Sequence, residues 1–175
     1  MTTNQIEKKA YELLVSTGNL EVPVPIKNLI KSLGIKLNPF DLGDDVSGVL
    51  VIDNDNIKIG YNSTESLVRQ RFTLAHELGH FVLHKNKEKE VFVDNVTYMF
   101  RKAGVRTKDY KIEMEANQFA AAVLMPKQLV EKEIKELQEN SISDYDLIAE
   151  LSKRFKVSQI AMTYRLNNLG YFYNF

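Results

Sequence analysis

The stretch Arg69–His84, RQRFTLAHELGHFVLH, carries all three histidines of the chain, at positions 76, 80 and 84. Its centre, His76-Glu77-Leu78-Gly79-His80, is an H-E-x-x-H pattern, and for a chain of this length and composition roughly 0.004 such matches arise by chance. The pattern has chemical meaning only on a helix. Asn62 followed by Glu65 reads as a cap with its partner three residues on, and from there to His84 no proline and only one glycine intervene. The sequence therefore predicts a helix over about residues 63–85. At about 100° per residue, His76 and His80 fall about 40° apart and one turn apart in height, so both imidazoles can reach one ion. Glu77 projects about 60° from His80, close enough to touch a water on that ion without ligating it. Leu67, Val68, Leu74, Ala75, Leu78 and Val82 fill the other directions, which predicts a buried, central helix and a dry cavity of the kind metal chemistry favours.

Two neutral imidazoles and a carboxylate suit Zn2+, whose catalytic sites keep three protein ligands and a water. With no cysteine in the chain, a cysteine-based structural zinc site is excluded. The third ligand is expected on a helix over Tyr110–Leu124, where Glu113 and Glu115 compete. Ala116, Ala120, Val123 and Leu124 lie within about 80° of Glu113 on the wheel, whereas Glu115 points about 160° away. Glu113 is thus expected on the packed face and Glu115 in solvent. Ala116 and Ala120 would let the two helices approach closely, and Asn117, one turn beyond Glu113, is placed to hydrogen-bond a ligand. His84 falls too far along to be an easy third ligand and is expected beside the ligands or facing the substrate. An oxyanion donor is needed, and Tyr61, Arg69, Tyr98 and Tyr110 are the candidates.

The chain has 175 residues, enough for one domain with a small appendage, here divided at 1–140 and 141–175. Twenty-three basic residues balance twenty-three acidic ones, so the charge does not point to nucleic acid or a membrane surface. The start, MTTNQIEKKA, lacks a basic region followed by an apolar run, and no segment approaches the ~20 apolar residues of a membrane span, so a cytoplasmic protein is expected.

Helical spacing appears over residues 4–17 and 25–33, with Gly34 as a stop, and strands are expected over 35–37, 46–52 and 57–59. This small sheet precedes the histidine helix, an α+β order in which an edge strand lies beside the cleft and can pair with an extended substrate. Residues 85–90 read as a charged loop, 91–93 as a short strand and 95–109 as irregular, with basic residues spaced through it. Further helices are expected over 127–137, 144–155 and 158–169, the last capped by Ser158 and stopped by Gly170. Ser152–Ser158 resembles the turn of a helix-turn-helix, with Lys156 in place of the usual glycine. Arg154, Lys156 and Arg165 would be its phosphate contacts, although packing is the expected role of the pair and direct nucleic-acid binding is not expected. Tyr171-Phe172-Tyr173 is expected to dock the C-terminus on the core.

Taken together, RFTLAHELGHFVLH, the later EMEANQFAAAVLMP and the terminal FKVS and RLNNLG resemble the ImmA/IrrE family of zinc metallopeptidases, over roughly Val22–Gly170. The resemblance implies that His76, His80 and Glu113 bind zinc, with Asn117 completing an E-x-x-x-N/D pattern and Glu77 acting as the catalytic base. It also implies an intracellular endopeptidase whose protein substrate is a helix-turn-helix transcriptional repressor of stress, phage or mobile-element genes. Two alternatives belong to other classes: a module that binds the repressor without cutting it, and a DNA-binding regulator.

Overall fold

A computed structural model of the chain describes residues 1–43, 45–85, 89–95, 108–139 and 144–171. Thr2 opens helix α1 (Thr3–Ser16) with a reciprocal capping box, its hydroxyl accepting from the Gln5 N–H while its own N–H donates to the Gln5 side chain. Helix α2 (Ile26–Ser32) ends before Gly34, whose φ of 75° suits a residue without a Cβ. Strands β1 (Lys36–Phe40), β2 (Val46–Asp53) and β3 (Asn56–Asn62) follow, and the turn between the last two places Asn54 in the left-handed region. Helix α3 (Leu67–His84) comes next, then β4 (Lys89–Asn95) and α4 (Lys108–Leu124). Helices α5 (Lys127–Glu139), α6 (Asp144–Phe155) and α7 (Gln159–Leu169) complete an α+β fold.

The sheet runs in the order β1-β3-β2-β4, with β1 parallel to β3 and the other pairs antiparallel. The edges of the sheet among the described residues are β1, which precedes α3 in the chain, and β4, which follows it, and β4 brings Phe92 against His80. Against β4 the register of β2 slips between Val46 and Gly48, a bulge that re-aims the side chains there.

Helix α3 starts later than its letters indicated. Asn62 is the last residue of β3, where its side chain accepts from Thr64 and donates to the Gly43 and Val46 carbonyls. Ser66 takes over as cap, accepting from the Arg69 N–H. From there α3 packs against the sheet on one side and α4 on another. Leu74, Ala75 and Leu78 share one core with Leu50, Ile52 and Ile59 of the sheet and Phe119, Ala120 and Val123 of α4. Each large side chain buried there contributes about 1.5–3 kcal/mol, which fixes α3 against both neighbours.

The C-terminal helices are tied to this body by arginines. Arg71 of α3 donates to the Phe155 and Lys156 carbonyls at 3.3 and 3.2 Å. Arg165, only 4% exposed, grips Glu7 of α1 with two nitrogens and donates from Nε to the Met125 carbonyl at 2.9 Å. Arg154 pairs with Glu133, Glu136 and Glu150. Two of the three basic residues put forward as phosphate contacts are thus engaged within the protein, leaving Lys156, in the left-handed region at φ 54°. Arg165→Ala is expected to destabilise the fold by about 2–4 kcal/mol, since it strands a buried carbonyl and leaves the half-buried Glu7 carboxylate without its partner; urea denaturation measures it.

No helix among the described residues is long and apolar enough to cross a membrane. Tyr98 and most of the basic segment expected over 95–109, like Phe172 and Tyr173, lie outside the described residues.

Candidate metal centre

The antiparallel approach of α3 and α4 brings three of the proposed side chains to one point. His76 Nε2 and His80 Nε2 are 3.0 Å apart, and the Glu113 carboxylate lies 3.2 Å from the first and 3.4 Å from the second. A tetrahedral zinc site with bonds of about 2.0–2.1 Å separates its ligand atoms by about 3.3–3.4 Å, so these residues fit such an ion closely. Both imidazoles are 2% exposed, whereas the Glu113 side chain is 31% exposed, so the cluster opens to solvent on the α4 side. Burial pushes the Glu113 carboxyl upward, but hydrogen bonds and charge from His76 and His80 outweigh it and lower the group to about 2. The carboxylate is therefore ionised over the whole neutral range, as a ligand must be.

The helix contact that makes this possible depends on one glycine. A Cβ at Gly79 would stand 3.1 Å from both the Cα and the carbonyl oxygen of Ala116, so glycine at this position lets α4 come in close enough for Glu113 to reach the histidines. Asn117 lies one turn further on, with Oδ1 2.9 Å from His76 Nδ1. With that oxygen as acceptor, the proton sits on Nδ1 and the Nε2 lone pair faces the centre.

Glu77 is fully buried beside the cluster, against strand β2. A Cβ at Gly48 would meet the Thr73 methyl at 2.4 Å and Glu77 Oε1 at 3.0 Å, so the bulged strand passes directly over the carboxylate. Its neighbour Ser47 donates to Glu65 and accepts from Arg69, both at 2.7 Å. Gly48→Ala is expected to displace Glu77 and cost about 1–3 kcal/mol of stability. Metal affinity close to that of the parent with reduced turnover is the expected signature, read from metal titration and initial rates.

Several expectations need correction. Glu115 does not face solvent: it is 8% exposed, its carboxylate meeting the Met1 ammonium and lying 3.6 Å from His84 Nε2 and 3.9 Å from Lys111 Nζ. Helix α4 is covered by α3 on one flank and α1 on another, so it has two packed faces. His84 does lie beside His80, ring centroids 5.9 Å apart, and pairs with Glu115; burial pushes its imidazole below the usual value and His80 adds to the effect, against Glu115 and a hydrogen bond with the Ile112 backbone. Tyr61, put forward as an oxyanion donor, is buried under Lys27, whose ammonium donates to its hydroxyl at 3.0 Å. Arg69 is held by Ser47 and Glu65, while Tyr110 lies exposed on α4, three residues before Glu113.

The family model described as the IrrE N-terminal-like domain, of peptidase family M78, matches residues 30–167. The chain belongs to the ImmA/IrrE family. This is a family of metallopeptidases, and the M78 match spans both the histidine helix and the Glu113 helix. Relatives of this M78 protein include metallopeptidase ImmA of Bacillus subtilis (strain 168), 27% identical over 134 residues, or 77% of this chain and 70% of ImmA. Another is the uncharacterized immunity region protein 2 of Bacillus phage phi105, 29% identical over 119 residues, or 68% of each chain.

Proposed function

We propose that this M78 protein is a zinc-dependent endopeptidase that cleaves a partner protein in the cytoplasm, and that the partner is a helix-turn-helix transcriptional repressor of stress, phage or mobile-element genes. The observation that carries the reading is the convergence of His76, His80 and Glu113 within bonding distance of one ion, beside the buried carboxylate of Glu77. His76, His80 and Glu113 are the ligands. When bound, the ion lowers the pKa of a water and polarises the scissile carbonyl. Glu77 takes a proton from the attacking water and returns it to the nitrogen of the leaving amine as the C–N bond breaks. Asn117 holds His76 in the tautomer that leaves Nε2 free, and Gly48 leaves room for the Glu77 carboxylate. Residues 1–140 form the catalytic domain, on which the appendage 141–175 is fixed by Arg71 and Arg165.

Mixing the zinc-loaded protein with a candidate helix-turn-helix repressor, such as the product of a neighbouring regulatory gene, tests this reading. Repressor fragments that vanish with a chelator are the expected result. Repressor bound but left intact would favour the binding module without proteolysis. A steeply salt-dependent affinity for duplex DNA would favour a regulator, against which the engagement of Arg154 and Arg165 already argues.

A further inference from the structure

The two histidines are supported in different ways. His76 has the Asn117 oxygen on its Nδ1. His80 Nδ1 is buried with no hydrogen-bond partner among the described residues. A metal-bound histidine almost always donates its second N–H to an oxygen, which fixes the ring's rotation. Without such a bond the ring is poorly restrained, because χ2 of histidine is a broad torsion.

What meets His80 is an aromatic face. The Phe92 ring lies 4.8 Å from the His80 ring, centroid to centroid, with the planes 19° from parallel. That falls in the range of about 4.5–7 Å typical of stacked aromatic pairs. Phe92 is turned to this side by the alternation of β4, its neighbours Val91 and Val93 being 61% and 48% exposed, and by its register opposite buried Leu50 of β2. His76 meets His80 edge-on at 4.6 Å and His84 lies tilted at 5.9 Å, so Phe92 supplies the parallel contact.

We propose that Phe92 is a positioning residue for His80, fixing the imidazole's rotation by stacking where His76 is fixed by a hydrogen bond. This rests on the reading of His80 as a metal ligand. Phe92 sits on β4, one of the two edge strands of the sheet among the described residues.

The experiment compares the full chain with Phe92→Met, Phe92→Tyr and His80→Ala, using zinc affinity by chelator competition, melting of the metal-free protein and the ring-proton NMR shifts of His80. Phe92→Met is expected to weaken zinc about 10–100-fold with little change in metal-free melting, while Phe92→Tyr restores affinity. The His80 ring protons should be shifted upfield in the parent and in Phe92→Tyr and return toward ordinary values in Phe92→Met. Parent-like zinc affinity in a folded Phe92→Met, failure of Phe92→Tyr to rescue, or no upfield shift in the parent would overturn the role of Phe92. Undiminished zinc affinity in His80→Ala would instead overturn the metal-site reading beneath it.

Discussion

Exchange of Glu77 for glutamine is expected to leave zinc bound and to reduce peptide cleavage by at least about 10²-fold, the lower end of what a positioned acid–base group contributes. Glutamine keeps the shape of the side chain, so its packing beneath Gly48 is preserved and the melting temperature should stay near the parent's. The neutral amide cannot accept the proton that the attacking water gives up. His76, His80 and Glu113 are untouched, so metal content is the control. Loss of zinc in Glu77→Gln, or unchanged turnover of a protein substrate, would remove Glu77 from the role of base.

Gly79→Val should have the largest effect on the architecture of the site. The atoms in its way are the Ala116 backbone at 3.1 Å and the Phe119 ring at 3.3 Å, neither of which is the free end of a flexible side chain. A branched side chain there pushes α4 off α3, at a cost of about 1–3 kcal/mol for overpacking. Glu113 rides on α4, so its carboxylate should withdraw from the imidazoles and zinc affinity should fall by roughly tenfold or more, as for loss of support around a metal ligand. Gly79→Ala should show the same changes in smaller measure. Chelator competition and thermal melting on the two variants read both effects. Normal zinc affinity in Gly79→Val would mean that the separation of the two helices does not place Glu113.

The parts of the candidate site legible in the sequence are those set by a single helix. His76, Glu77 and His80 follow from spacing within α3, and Glu113 follows from the small residues that share its side of α4. Glu115 departs from the wheel because a wheel with one packed face assumes one neighbour. Its burial depends on α1, which is remote in sequence and contacts the opposite flank of α4. Asn62 departs from its expected role for a related reason: the same side chain can cap a helix or close a strand, and strand pairing through β3 decides which. Gly48 carried a faint signal, since a glycine inside an apolar strand marks close approach of another group. For Phe92 the alternating V-F-V pattern gives only a side of the strand. That β4 lies outermost against β2, with Phe92 over His80, emerges only from the assembled sheet.

The most direct test of the metal centre is a calorimetric zinc titration of the metal-free chain, run beside Glu113→Ala and Glu115→Ala. The parent should take up one ion per chain, and Glu113→Ala should bind far more weakly, having lost a bond and the compensating charge. Glu115→Ala should keep its zinc, because its carboxylate serves the contact between α1, α4 and His84 and not the ion. A parent that takes up no zinc, or a Glu113→Ala variant that binds it as tightly as the parent, would contradict the account.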